Sequence, residues 1–329
     1  MLGSGSAGNS ALVATDHCRI LVDGGLSARQ IVVRLEQCGI TPGQLDGVLL
    51  THEHGDHVCG LEVLCRKFQV PIYCNRLTAE AIRCWSGSLE EHKNWRLFQT
   101  GADFNICDIQ VQTFSVPHDA VDPVGYAFHS GESALGFITD LGYATKMVVE
   151  RLRKVHTLVI ETNHDEKMLQ ADPHRPWPVK QRIQSRHGHL SNAAAATVIE
   201  QLLSGKLERV VLGHLSRDCN TPELAAGAIR AMLVSEEHAV ELRGSNSALL
   251  EPDDDLARAQ SAIDQKPAMI GRDQRAISCA AAAEHGQCEH ASISSGHRRV
   301  SQIGNGIEAQ KCVAWFGNTD LQSVRPAGL

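Results

Sequence analysis

The segment Thr51-His52-Glu53-His54-Gly55-Asp56-His57 places four side chains able to hold a metal ion within six residues, directly after the apolar run Val48-Leu49-Leu50. At the extended end of a strand, residues two apart point the same way, so His52 and His54 can grip one ion before the chain turns at Gly55. Asp56 and His57 then face a second ion. Imidazole and carboxylate donors suit borderline divalent ions such as Zn²⁺ or Mn²⁺, and a close pair of such ions forms a clamp for hydrolysis. The bland alternative is a solvated loop in which histidines cluster by chance. Three further donors weigh against it: His118 follows Val116-Pro117, Asp140 follows Gly136-Phe137-Ile138-Thr139, and His214 follows Val210-Val211-Leu212-Gly213. Any one of these is an ordinary polar residue closing a strand. Jointly they complete two coordination spheres, with Asp140 placed to bridge the ions. A zinc-protease helix does not fit, because His52-Glu53 lacks the second His at helical spacing.

Donors spread from 52 to 214 need strand ends to carry them, and the chain supplies these at regular intervals. Residues 19–23 read as a strand ending in Asp-Gly-Gly. Ser27 can then cap a helix whose apolar residues Ile31, Val32, Leu35 and Cys38 share a face before Gly39 stops it. Strands at 47–51 and 70–74 alternate with helices at 58–68 and 78–85. Between 106 and 116 apolar and polar residues alternate, with an apparent slip after Val111 that reads as a bulge. Strands are expected at 125–129, 134–139, 157–161 and 209–212, and helices at 193–203 and 222–233, the last capped by Thr221 with Pro222 in its first turn. This is an α/β pattern. After about residue 251 the texture changes to Ala, Ser, Gly and Gln without sustained periodicity, so the expectation is a domain over 1–250 and a poorly ordered tail over 251–329, against the alternative of a small C-terminal domain.

The bulk numbers are compatible with this. The chain has 329 residues, 43% of them hydrophobic but only 4% aromatic, so its core must be built from Val, Leu, Ile and Ala. A net charge of −7 argues against a protein that coats nucleic acid through a globally basic surface, but not against a nucleic-acid enzyme whose ions supply positive potential locally. The eleven cysteines show no Cys-x-x-Cys pair and read as reduced thiols. Neither a signal peptide nor a run of 18 apolar residues is visible, so a soluble, cytoplasmic protein without membrane contact is expected.

The His-x-His-x-Asp-His pattern at 52–57 resembles the hallmark of the metallo-β-lactamase superfamily, and the likeness spans about residues 2–250. The resemblance implies a four-layer αβ/βα sandwich with the site along one edge of two sheets, two divalent ions held by His52, His54, Asp56, His57, His118, Asp140 and His214, and a supporting role for Asp23 without metal contact. Three further segments are similar to the YycJ/WalJ subgroup: Leu2 to Ser10, Glu161-Thr162-Asn163-His164-Asp165, and Gly188-His189-Leu190-Ser191-Asn192. So is His214-Leu215-Ser216-Arg217-Asp218-Cys219-Asn220-Thr221-Pro222-Glu223. Members of that subgroup are regarded as phosphodiesterases acting on DNA as exonucleases. One departure stands out: Met1 almost abuts the Leu-Gly-Ser-Gly-Ser segment, where family members carry several more residues that form a first strand, so a weakened sheet edge is expected.

The implied reaction is phosphodiester hydrolysis by a hydroxide bridging the two ions, with Asp56 and His189 as catalytic residues. His189 is the candidate proton donor to the leaving oxygen, against the alternative of a residue that only begins a helix. Ser191, at a helix start, His164 and Arg182 are candidate substrate contacts. Arg175, Lys180, Arg182 and Arg186 make a locally basic stretch along which a nucleic-acid strand could run, or merely a solvated loop, and Trp177 within it reads as a packing residue. Competing functions are a thioester or lactone hydrolase of the glyoxalase II kind, which the Gly-His-Leu-Ser motif disfavours, and a non-catalytic member of the fold, which complete retention of the donors disfavours. A redox di-iron role fits poorly, because carboxylates do not replace part of the His-rich motif.

Overall fold

In the computed structural model, residues 1–235, 240–244 and 314–316 are described. All but three residues of the expected tail therefore lie outside the described residues. The first sheet contains β1 (Ala11–Thr15), β2 (Arg19–Val22), β3 (Gly47–Leu49), β4 (Ile72–Asn75) and β5 (Trp95–Phe98). The second contains β6 (Asp103–Ile106), β7 (Ile109–Ser115), β8 (Val124–Ser130), β9 (Ser133–Ile138), β10 (Thr157–Glu161), β11 (Arg209–Gly213) and β12 (Glu241–Gly244). β13 (Ala314–Phe316) joins the first sheet, giving orders β13-β1-β2-β3-β4-β5 and β12-β11-β10-β9-β8-β7-β6. It pairs in parallel with Val13 to Thr15 of β1, so the edge expected to be weak is covered there.

Strand alternation sorts the apolar residues into three cores and thereby into four layers. Leu12, Leu21, Val48 and Ile72 point outward from the first sheet onto Ile31 and Leu35 of α1 (Ala28–Gln37) and Leu61 and Leu64 of α3 (Leu61–Phe68). Their neighbours Val13, Ile20 and Leu49 point inward and meet Val111, Tyr126, Phe128 and Phe137 of the second sheet. On that sheet's far side Ile138, Leu158 and Leu212 pack on α6 (Lys146–Leu152), α9 (Asn192–Leu202) and α10 (Pro222–Ser235). The four-layer αβ/βα sandwich follows.

The expected bulge within β7 is absent. Its pairing with β8 runs unbroken from Gln110↔His129 to Ser115↔Val124. Ile109 and Val111 fill the core between the sheets, while Phe114 and Val116 fill the helix-facing core. Gln110 is exposed beside the first pair and Ser115 beside the second, so the switch of apolar parity marks a change of buried face along an unbroken strand rather than an inserted residue.

Caps read from the sequence also form: Ser27 accepts the Gln30 amide at 3.4 Å. Thr145, which was not anticipated, caps α6 by accepting the Val148 amide at 3.2 Å. Thr145→Ala is expected to cost about 1 kcal/mol, the usual worth of such a cap, seen as a lowered urea midpoint with catalysis unchanged.

Candidate metal centre

β2, β3, β9, β10 and β11 end at one edge of the sandwich, as does β7, which runs parallel to β9 through two antiparallel pairings. Asp23 follows β2, His118 lies just beyond β7, Asp140 follows β9 by two residues, Glu161 closes β10, and His214 follows β11. Three of these, Asp23 (φ 61°), Asp140 (φ 54°) and His214 (φ 53°), adopt the left-handed backbone conformation that turns the chain sharply out of its strand. After β3 the chain bends at Thr51, reaches His54 in extended conformation and then enters α2 (Gly55–Val58), whose first turn presents Asp56 and His57. Gly25 lets the neighbouring loop pack against this turn, since a Cβ there would lie 1.6 Å from the Asp56 carbonyl oxygen.

The seven expected donors converge as two overlapping groups. His52, His54 and His118 form one, with His54 Nδ1 and His118 Nε2 3.4 Å apart. Asp56, His57 and His214 form the other, with Asp56 Oδ2 3.5 Å from His57 Nε2 and 3.6 Å from His214 Nε2. Asp140 stands between them: Oδ2 is 3.0 Å from His57 Nε2, and Oδ1 is 3.4 Å from His214 Nε2 and 3.7 Å from His118 Nε2.

Oxygen acceptors behind the imidazoles fix their tautomers. His57 Nδ1 donates to Asp23 Oδ2 at 2.8 Å, His214 Nδ1 to Glu161 Oε1 at 2.8 Å, and His118 Nδ1 to the Gly188 carbonyl at 3.1 Å. A carboxylate or carbonyl oxygen can only accept, so in each ring the Nε2 lone pair is left facing the centre. Asp23 also accepts from the Thr51 amide at 2.9 Å and from its hydroxyl, binding the start of the His-rich segment to β2. It touches only the far side of His57.

His52 Nε2, Asp140 Oδ2 and His214 Nε2 are buried yet have no hydrogen-bond partner. Orphaned buried polar atoms are rare, and three converging ones in a nitrogen and carboxylate environment fit a divalent cation. Charge points the same way. Burial holds His52 well below the usual histidine range, with His57 adding repulsion, and burial also lowers His118. Burial would lower His57 and His214 too, but Asp140 and the other carboxylates around them raise both well above the usual range. Asp140 is held well below the ordinary carboxylate range, since the attraction of His214 and His57 outweighs the effect of burial.

Two residues escaped the sequence reading. Glu161, fully buried, uses one oxygen for both His214 Nδ1 and His189 Nδ1, the latter at 2.6 Å, while its other oxygen accepts the Leu141 and Leu190 amides at 2.8 and 3.2 Å. Burial would raise its pKa, but His189 and His214 bring it down to about 2. Asn9 donates to Asp56 Oδ2 at 3.2 Å and lies 3.0 Å from His57 Nε2. Ser4 nearby accepts the His214 amide at 2.6 Å and Ser10 donates to the Asp23 carbonyl, so the Leu2 to Ser10 segment ties three parts of the site together. Its glycine and serine pattern was the available signal.

His189 stands at the rim, its side chain 20% exposed, with Nδ1 on Glu161 and 3.6 Å from Asp140 Oδ1. Burial lowers its pKa, but Glu161 more than offsets that and raises it. His164 is buried and its Nδ1 has no partner. The Ser191 hydroxyl accepts the Ala194 amide at 3.2 Å as the cap of α9 and donates to Glu166 at 2.9 Å, so it is already engaged.

The basic stretch is not a continuous track. Lys180 is buried and donates to the Gln170 carbonyl at 2.7 Å, and Arg175 is tied to Asp172 and Asp218. Arg182 reaches the site's rim, 2.5 Å from Asp119, whose other oxygen is 3.3 Å from His118 Nε2. Arg186 lies over the Tyr143 ring. Beyond α7 (Glu166–Ala171) the expected loop is partly helical, as α8 (Trp177–Ile183), and Trp177 is 57% exposed rather than packed.

Two sheets between helical layers, with His and Asp side chains gathered where the strands end, define a metallo-β-lactamase fold. A family model described as Beta-lactamase superfamily domain matches residues 18–215. Exodeoxyribonuclease YycJ of Bacillus anthracis is 36% identical over 233 residues, covering 71% of this chain and 88% of its own. Exodeoxyribonuclease WalJ of Streptococcus pneumoniae is 36% identical over 227 residues, covering 68% and 84%. The metallo-beta-lactamase fold protein YhfI from Bacillus subtilis aligns with a TM-score of 0.56 at 16% identity, over 75% of this chain and 95% of that one, a likeness of fold. The chain belongs to the metallo-β-lactamase superfamily as a YycJ/WalJ-like member, and is a metal-dependent hydrolase. Among the described residues no helix is long and apolar enough to cross a membrane.

Proposed function

We propose that the chain is a dinuclear-metal-dependent phosphodiester hydrolase acting on DNA as an exonuclease, with its catalytic domain over residues 1–250. The observation that carries this reading is the placement of Asp140 between two groups of imidazoles, each with a ring nitrogen facing inward. Similarity to two proteins named exodeoxyribonucleases supports the substrate class. His52, His54 and His118 would hold one divalent ion, Zn²⁺ or Mn²⁺, and Asp56, His57 and His214 the other, with Asp140 shared. Such ions acidify water towards neutral pH and neutralise the charge that builds on phosphoryl oxygens.

The chain's own groups supply the rest. His189, oriented through Nδ1 by Glu161, keeps Nε2 free at the exposed rim and is placed to protonate the departing oxygen. Asp56 holds its carboxylate between His57 and His214 through the Asn9 amide. Arg182, paired with Asp119 at the rim, offers positive potential to a phosphate, and His164 is buried with its backbone bridged to Ser191.

Purified protein with Mn²⁺ or Zn²⁺, offered bis-p-nitrophenyl phosphate, end-labelled DNA and a glutathione thioester, tests the reading. Release of nucleotides from DNA ends, abolished by chelation and restored by added metal, is expected. Cleavage of the thioester alone would show a glyoxalase II-like enzyme instead.

Glu161→Gln gives a narrower check. An amide oxygen still accepts one ring proton, but the charge that favours both Nδ1–H tautomers is gone. Metal affinity and turnover should each fall about 10–100-fold, the usual cost of disturbing a group behind a ligand. Metal titration and steady-state kinetics on one preparation measure the two effects.

A further inference from the structure

At the opposite edge of the sandwich, three chain segments bring together two thiols and a carboxylate that the proposed reaction does not use. Cys18 precedes β2, Asp46 precedes β3, and Cys107 sits in the turn between β6 and β7. One donor atom from each lies within 4.8 Å of the others. Asp23 lies five steps along extended chain from Cys18, so the cluster is about 16 Å from the catalytic edge. We propose that Cys18, Cys107 and Asp46 form a second, separate metal site for a thiophilic divalent cation of the Zn²⁺ class, bridging the two sheets.

The local geometry suits this use. Cys18 is fully buried, its thiol donating to the Ile106 carbonyl at 3.3 Å, and Cys107 is exposed at the mouth, in the left-handed conformation (φ 50°) that aims it back towards the sheet end. The Cys107 thiol stands within 4.8 Å of both the Cys18 thiol and the Asp46 carboxylate. Asp46 is fixed by the Arg19 amide on Oδ2 at 2.8 Å, which leaves Oδ1 for a cation. Two sulfurs and one oxygen, with a fourth position open to water, match the tetrahedral preference of zinc.

The surrounding charge favours a cation. Asp108, which accepts the Thr15 hydroxyl at 2.8 Å, adds a second carboxylate beside the thiols. A divalent ion is stabilised by the same negative field. Binding takes one cation and releases two protons, one from each thiol, with no change of oxidation state.

None of the seven catalytic donors is a cysteine, so thiolate coordination has its own signature. Full-length protein freed of metal is titrated with Co²⁺, with near-ultraviolet absorbance read for sulfur-to-cobalt charge transfer. A charge-transfer band saturating with one equivalent is expected. Cys107→Ser, at an exposed position, and Asp46→Asn are expected to lose the band and that equivalent while keeping the hydrolytic activity of the metal-loaded enzyme. The proposal is overturned if no band forms, if the band survives Cys107→Ser, or if non-reducing peptide mapping finds Cys18 and Cys107 joined as a disulfide.

Discussion

Asp140→Asn should reduce bound metal and lower turnover by about 10²- to 10³-fold, the scale of losing a preorganised group at the reacting centre. Asparagine is nearly isosteric and tolerates the left-handed conformation at this position (φ 54°), so the fold should survive. What disappears is the charge that stands within 3.0 to 3.7 Å of His57, His214 and His118. Metal analysis after gel filtration, together with hydrolysis of bis-p-nitrophenyl phosphate, reads both effects. Full activity with full metal content would remove Asp140 from the centre.

His189→Ala should behave differently. Its ring is the most exposed of the imidazoles bound to Glu161, and Nε2 is not needed to complete either group of donors. A loss of about 10²- to 10⁴-fold in kcat is expected, equal to about 2.7–5.5 kcal/mol of barrier, as for removal of a general acid. Metal content should be unchanged. A substrate with a good leaving group, such as p-nitrophenolate, needs less protonation and should suffer less than DNA. Equal losses on both substrates, or a fall in metal content, would assign His189 to holding the centre together instead.

What the sequence revealed of this site depended on how local each signal was. His52 to His57 occupy one strand end and one helical turn, so their spacing alone announced a metal-binding segment. His118, Asp140 and His214 were readable because each follows an apolar strand, and polar residues at strand ends are where a parallel sheet builds its sites. Glu161 was hidden because its role exists only once residues 189 and 214 reach the same carboxylate oxygen, and no local pattern encodes that meeting. Asn9 was hidden likewise: the glycine- and serine-rich segment around it stood out, but nothing in it assigned that one side chain to Asp56. The fold followed the same rule. Strands with one dominant face or a buried run were placed well, whereas short elements such as β1, β5, α7 and α8 were missed because tertiary packing rather than propensity holds them. Lys180 shows the converse error: a charge counted as surface potential is buried on a backbone carbonyl.

The left-handed turns at Asp23, Asp140 and His214 also shape how this centre can decay over evolutionary time. Most residues are strained in that conformation, so backbone geometry screens replacements before chemistry does. Asparagine and glycine pass the screen, and neither brings a negative charge or an imidazole to a cation. Drift at these three corners therefore leads first to molecules that keep their shape and lose their ions, which gives this architecture a short path from enzyme to inert scaffold.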